Sequence, residues 1–271
     1  MISQPTQEHI GFYQENGFLA VPDFLDATEL RTWSRVSDEA VHERITKFKP
    51  TGAAFENTNV QADDYYARVF VQCLRLADSW PAMRELIYDR RIARWAGLLS
   101  GVDGIRVWHD QALFKPPFGN PTSYHLDNPY WSFSSRDSIS IWIALDDATL
   151  ENGCMWYLPG THKTARYENA GIGNQIDGLF KVYPEWRKID PVPVEVKAGT
   201  AVFHNGLTAH GAGANMSNRP RRAMTCGFMP EGSTFNGTRN ILPEALFKSL
   251  KVGDLLNDEK QTPLLWTKNR E

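Results

Sequence analysis

Cysteine is scarce in this chain. Cys73, Cys154 and Cys226 stand far apart, odd in number and in no CxxC pair. That pattern excludes a disulfide framework and a thiolate zinc site, and it fits a reducing cytoplasm. Long apolar runs are missing as well: none approaches the roughly 20 residues of a membrane span. Residues 1–10 are polar and lack the charged-then-apolar order of a signal peptide. Blocks of like charge are absent and the formal net charge is only −3, which argues against nucleic-acid or membrane-surface partners. No repeat, low-complexity tract or Ser/Pro-rich linker divides the 271 residues, so a single domain is expected; nothing indicates an oligomeric state.

What is present suffices for a large core, with 42% hydrophobic and 23% charged residues. The first part, to about residue 104, reads as helical. A helix over 7–16 should end at Gly17, a residue suited to a left-handed cap, with a short strand at 18–21. Asp26-Ala-Thr-Glu29 has the form of a capping arrangement. Leu30, Trp33, Val36, Ala40, Val41 and Ile45 then follow at helical spacing. Residues 48–64 show no period and read as a loop or lid, and a third helix is expected from Pro81 to about Leu99.

From about residue 105 to 230 the texture changes to short alternating runs broken by Gly, Pro and Asn. Strands are expected at 105–114, 137–145, 155–158, 192–196, 200–204 and 223–229. Ile139, Ile141, Ile143 and Leu145 alternate with Ser138, Ser140, Trp142 and Ala144, giving one fully apolar face. Glu151-Asn-Gly153, Lys197-Ala-Gly199 and His204-Asn-Gly206 are turn signals. The fold class is therefore mainly β with flanking helices, an antiparallel sandwich or jelly roll whose mouth encloses a ligand. Gly171 to Gly178 lie in an insertion that could border that mouth, and a C-terminal extension over 231–271 includes a short helix near 243–250.

The chemistry centres on Tyr124-His-Leu-Asp-Asn128. In an extended strand, residues two apart share a face, so His125 and Asp127 can reach one metal ion. Alone, His-x-Asp is a weak signal. A second imidazole from a later strand would complete a 2-His-1-carboxylate set and leave three positions open on iron(II). His204 and His210 are both candidates for it. His9 and His42 fall on expected helices, His162 follows a Pro-Gly turn and should be exposed, and His109 either lines the site or packs as a hydrogen-bonded histidine. Arg219, Arg221 and Arg222 follow, and an arginine fork suits the far carboxylate of a dicarboxylic co-substrate. Arg221 and Arg222 must face opposite ways if they open a strand, so only one can enter the barrel.

Six short motifs occur in order: Phe12-Tyr-x-Glu-Asn-Gly-Phe-Leu19, Phe114-Lys-Pro-Pro117, His125-x-Asp127, Asp147-Ala-Thr-Leu-Glu-Asn-Gly-Cys154, Leu158-Pro-Gly-Thr-His162 and His210-Gly-x-Gly213 with the arginine cluster. In them the chain resembles the phytanoyl-CoA dioxygenase family of iron(II)/2-oxoglutarate oxygenases over roughly residues 10–230. The resemblance implies a double-stranded β-helix, cupin-like core. It also implies Fe(2+) as cofactor, with 2-oxoglutarate and O2 as co-substrates and succinate and CO2 as products. It selects His210 over His204 as the distal ligand and Arg221 as the co-substrate arginine. Trp142 is the matching tryptophan beside 2-oxoglutarate, and Gln111 falls at a co-substrate contact of variable type. A hydroxyl common two positions after the distal histidine is replaced by Ala212, which removes one expected hydrogen bond.

Asp127 argues against halogenation, for which the carboxylate ligand gives way to a small residue. The expected activity is hydroxylation of a C–H bond in a small-molecule metabolite. Its alternatives are a non-catalytic ligand-binding jelly roll and a cupin-like metalloenzyme that does not use 2-oxoglutarate. Tyr124, Tyr130, Trp131, Phe133 and Trp108 would form an aromatic wall suited to an apolar or ring-bearing substrate, or would simply pack the sheet. No basic patch reserved for a CoA tail is evident.

Overall fold

The computed structural model describes residues 1–47 and 65–269, so the loop expected at 48–64 lies outside the described residues. Helix α1 (Gln7–Asn16) opens on a reciprocal cap between Thr6 and His9 and closes on Gly17, whose φ is +80°. Glycine is required there twice over. A Cβ at Gly17 would meet Thr208 Oγ1 at 2.3 Å and His162 Nδ1 at 2.4 Å, and the left-handed backbone disfavours any other residue. Helix α2 (Ala27–Lys47) starts as expected: Asp26 Oδ1 accepts from the amides of Thr28 and Glu29, and Glu29 reaches back to the Asp26 amide. Trp33, Val36, Ala40 and Val41 form its buried stripe, joined by Ser37.

The third helix is divided. Helix α3 (Leu76–Ser79) precedes α4 (Pro81–Ile87), and α5 (Arg90–Ser100) begins anew where Asp89 accepts a hydrogen bond from the Arg91 amide. The apolar period runs across this break, so it could not disclose that Asp89 serves as a cap.

Eleven strands among the described residues form two antiparallel sheets. The larger contains β1 (Phe18–Val21), β2 (Val71–Leu74), β3 (Gly104–Phe114), β5 (Ile139–Ala144), β8 (Ala201–Asn205), β10 (Ala223–Pro230) and β11 (Leu264–Thr267). Its order is β1-β8-β5-β10-β3-β11, with β2 also paired to β3. The smaller contains β4 (Thr122–His125), β6 (Met155–Tyr157), β7 (Val192–Val194) and β9 (His210–Ala212), in the order β4-β9-β6-β7. The larger sheet thus draws strands from the helical N-terminal part and from the C-terminal extension as well as from the central region. The extension also carries helix α6 (Glu244–Ser249).

Alternation in β5 divides the sheet's two sides. Ile139, Ile141, Ile143 and Leu145 pack into one cluster with Trp33, Trp95, Leu99 and Phe203, facing the helices. Each such burial stabilises by about 1.5–3 kcal/mol. Ser140 and Trp142 therefore point the other way, between the sheets. Among the described residues no helix is long and apolar enough to cross a membrane.

Candidate metal and co-substrate site

Cross-strand register builds the site from two facing rows. On the smaller sheet, His125 pairs with His210, and His210 with Tyr157. On the larger sheet, His204 pairs with Ser140, Ser140 with Gly227, and Gly227 with His109. Cross-strand partners share a face, and the two rows meet: the rings of His204 and His210 lie 4.5 Å apart. Asp127 bridges them. Strand β4 ends at His125, and Asp127 lies just beyond it with helical dihedrals, at the start of a 3-10 turn over Asn128–Tyr130. The simple strand argument for His-x-Asp therefore holds for the first ligand only; the turn aims the second.

The ligand atoms of His125, Asp127 and His210 lie within 4.8 Å of one another. Asp127 Oδ1 is 3.6 Å from Nε2 of both histidines. Their Nδ1 atoms are each 2.9 Å from a backbone oxygen, Ser123 for His125 and Thr208 for His210, which leaves Nε2 free as a ligand. Burial pushes both imidazoles down, His210 to about 3. Burial alone would raise the Asp127 carboxyl, but His210, His204 and His125 together hold it well below the usual range. Two neutral imidazoles and an ionised carboxylate are the donor set a divalent ion requires.

Arg221 and Arg222 diverge as expected. Arg222 pairs with Asp146 and Asp38 at 2.7 and 2.6 Å. Arg221 is fully buried, and its Nε, Nη1 and Nη2 have no hydrogen-bond partner among the described residues. Its backbone is bonded in both directions to Lys115 at 2.9 Å, and its guanidinium lies 5.2 Å from the Trp142 ring. Burial pushes Arg221 down to about 10, which still leaves it charged at neutral pH. Beside it, burial and then Arg221 push Lys115 down to about 6. Trp142 Nε1 is likewise unpaired. Gln111 lies in the next cross-strand row, where Thr225 separates it from Trp142, and accepts from Gln72 at 2.6 Å. Ala212 brings no hydroxyl, but its cross-strand partner Thr122 carries a buried, unpartnered Oγ1.

Some features were not legible as functional. Ser140 and His204 both hold Asp127, and the only sequence signal for Ser140 is its place opposite the isoleucine face of β5. His162 is half-buried, because the turn at Gly160 bonds back to Asn16 and draws its ring toward Gln14. Of the five aromatics, Trp108, Trp131 and Phe133 form one cluster, with Trp108 and Phe133 fully buried in it. Tyr130 is 38% exposed and bonds to Ala170, the residue before the Gly171 to Gly178 segment, and that segment meets Ser123 and Tyr124 on β4. Gly227 leaves room for Trp131, since a Cβ there would meet that ring at 2.9 Å.

His109 stands edge-on to Trp131, and its buried Nδ1 has no partner among the described residues. Burial pushes its ring down to about 4, against the opposing attraction of Asp127. A lowered pKa means the folded state binds the proton less readily than the unfolded chain. The associated stability is complete above about 6.5 and is lost as pH falls toward 4, about 2 kcal/mol between about pH 7.5 and 5. Denaturant unfolding at both pH values should show a loss at least this large in the wild type, since His125 and His210 act in the same sense, and a loss smaller by that amount in His109→Gln. Equal pH dependence in the two proteins would contradict it.

A family model described as phytanoyl-CoA dioxygenase matches residues 13–223. The chain belongs to that family. By membership it is a 2-oxoglutarate-dependent non-haem iron dioxygenase on an antiparallel jelly roll. A probable alpha-ketoglutarate-dependent hypophosphite dioxygenase from Stutzerimonas stutzeri is 30% identical over 80% of this chain and 76% of its own. A phytanoyl-CoA dioxygenase from Arabidopsis thaliana is 23% identical over 80% and 86%. Among solved structures, the non-haem alpha-ketoglutarate-dependent carbocyclase SnoK from nogalamycin biosynthesis superposes with a TM-score of 0.78, at 27% identity over 97% of both chains.

Proposed function

We propose that this family member oxidises a C–H bond of a ring-bearing small molecule, with His125, Asp127 and His210 as the iron ligands and Arg221 as the anchor of 2-oxoglutarate. The observation that carries this reading is Arg221: a fully buried guanidinium whose three nitrogens have no partner among the described residues, lying over Trp142, two residues along β5 from the Ser140 that bonds Asp127. Burying such a charge without a partner is costly, and a carboxylate supplied by a ligand would satisfy it bidentately. Trp142 packs beside that carboxylate, and the Thr122 hydroxyl takes the place of the one missing at Ala212. Gln111 shares the cross-strand row of Trp142 through Thr225. Iron(II), 2-oxoglutarate and O2 together supply the oxidising power to break a C–H bond, with release of succinate and CO2.

The protein's own groups select and hold the substrate. Trp131 and the Gly171 to Gly178 segment flank the metal-ligand cluster, and His109 offers a neutral ring nitrogen beside Trp131. An apolar ring carrying one polar group matches that lining. The three cysteines are free and buried, which supports a reducing, cytoplasmic setting.

Two outcomes are chemically open. Hydroxylation inserts one oxygen atom; ring closure removes two hydrogen atoms and leaves the oxygen in water. Ring closure is kept as the second reading because of the likeness to SnoK, whose name is that of a carbocyclase. Screening ring-bearing metabolites for stoichiometric succinate release, in isotopically labelled dioxygen, tests both. Product that gains one labelled oxygen supports hydroxylation, and product that loses two hydrogens supports ring closure. Succinate release that no ring-bearing compound stimulates, while a phosphorus oxyanion or an acyl-CoA does, would overturn the substrate class.

A further inference from the structure

We propose that His204 is a positioning residue: its Nε2–H ties back one oxygen of Asp127, so that the carboxylate meets the metal through the other oxygen alone. The inference rests on the assignment of the ligand triad and concerns a residue outside it. By spacing alone His204 is a rival for the distal ligand, and the family resemblance selects His210. The structure instead separates the two histidines by task. Asp127 Oδ1 faces Nε2 of His125 and of His210, at 3.6 Å each. Asp127 Oδ2 points away and accepts from Ser140 Oγ at 3.0 Å and from His204 Nε2 at 3.1 Å.

The donor role of His204 follows from its other nitrogen. Nδ1 lies 3.1 Å from the hydroxyl of Tyr157. That tyrosine is fully buried, stacked on Phe18 at 4.5 Å and beside His210 at 5.8 Å. Its hydroxyl has no other hydrogen-bond partner among the described residues, so its proton must point at Nδ1. Nδ1 therefore accepts, the hydrogen resides on Nε2, and its acceptor among the described residues is Asp127 Oδ2. Tyr157 sets the tautomer, His204 sets the carboxylate, and the carboxylate sets how many metal positions remain. With Oδ2 released, Asp127 is free to swing both oxygens toward the ion and occupy a position that the co-substrate needs.

Cobalt(II) is a suitable probe, because its visible absorption reports coordination number without turnover. Titration of the metal-free protein should show His204→Ala binding cobalt(II) roughly tenfold to a hundredfold more weakly than wild type, as outer partners of metal ligands do. Its absorption should also change in shape. His204→Gln, whose side-chain amide can still donate to Oδ2, should recover most of the affinity and the wild-type spectrum. Tyr157→Phe should fall between them. In unmutated protein, long-range nitrogen–proton correlation spectra should show His204 as the Nε2–H tautomer, a measurement that needs no variant to fold.

Wild-type affinity and spectrum in His204→Ala, or a His204→Gln no better than His204→Ala, would overturn the proposal. So would an Nδ1–H tautomer in the wild type. A wild-type protein that takes up no cobalt(II) would instead remove the triad assignment itself, so the two failures are distinguishable.

Discussion

Removal of any one of His125, Asp127 or His210 by alanine should abolish substrate-dependent succinate formation and weaken iron(II) binding by more than about a hundredfold, beyond what loss of an outer partner costs. The three atoms come from two strands and a turn, and each site has a single donor aimed at the common point. The fold should survive, since none of the three belongs to the apolar clusters that hold the larger sheet to the helices and the two sheets to each other. Asp127→Ala should differ in one respect. It strands Ser140 and His204, which both donate to the lost carboxylate, and should therefore lower thermal stability more than His125→Ala does. Full activity in His210→Ala together with inactivity in His204→Ala would reverse the assignment of the distal ligand.

Arg221→Ala should leave iron(II) binding intact and weaken 2-oxoglutarate binding by on the order of a hundredfold or more. Truncating one partner of a buried ion pair costs roughly 3–5 kcal/mol, at about 1.4 kcal/mol per tenfold. Arg221→Lys should recover little, because a point charge cannot reproduce the planar fork. Arg222→Ala and Arg219→Ala should be mild, for Arg222 is already engaged by Asp146 and Asp38. The same argument predicts a gain elsewhere. In the ligand-free protein Arg221 is an unpaired buried charge, so Arg221→Leu should raise the thermal midpoint while losing 2-oxoglutarate. Calorimetric titration of 2-oxoglutarate into anaerobic iron(II) protein and thermal unfolding without ligand measure the two halves. Wild-type affinity in Arg221→Ala with a large loss in Arg219→Ala or Arg222→Ala would move the anchor to that neighbour.

Much of this was legible in the residues because the relevant signals are local. Gly17 marks a left-handed cap, Asp26 and Glu29 mark a helix start, and the isoleucines of β5 mark a sheet side. The divergence of Arg221 and Arg222 follows from strand alternation, and full burial of the first against partial burial of the second agrees with it. What failed depended on contacts remote in sequence. The break at Asp89 turns on which of two competing signals wins, a cap or an apolar period. Strands β2 and β11 are short edge partners of β3 that carry no alternation of their own. The turn that aims Asp127 departs from the strand in which spacing alone would place it. Residue type and spacing alone left His204 and His210 open, and only the His210-Gly-x-Gly213 motif of the family resemblance chose between them. The register supplies the physical reason, setting His210 against His125 and His204 against Ser140.

The central claim is that this triad and Arg221 hold iron(II) and chelated 2-oxoglutarate together. Anaerobic titration of the iron(II)-loaded protein with 2-oxoglutarate, followed by visible absorption, tests it most directly. The account predicts a metal-to-ligand charge-transfer band that saturates with 2-oxoglutarate, is absent in His125→Ala, Asp127→Ala and His210→Ala, and requires far more 2-oxoglutarate in Arg221→Ala. No band in the wild type, or an unchanged band in a triad variant, would contradict it.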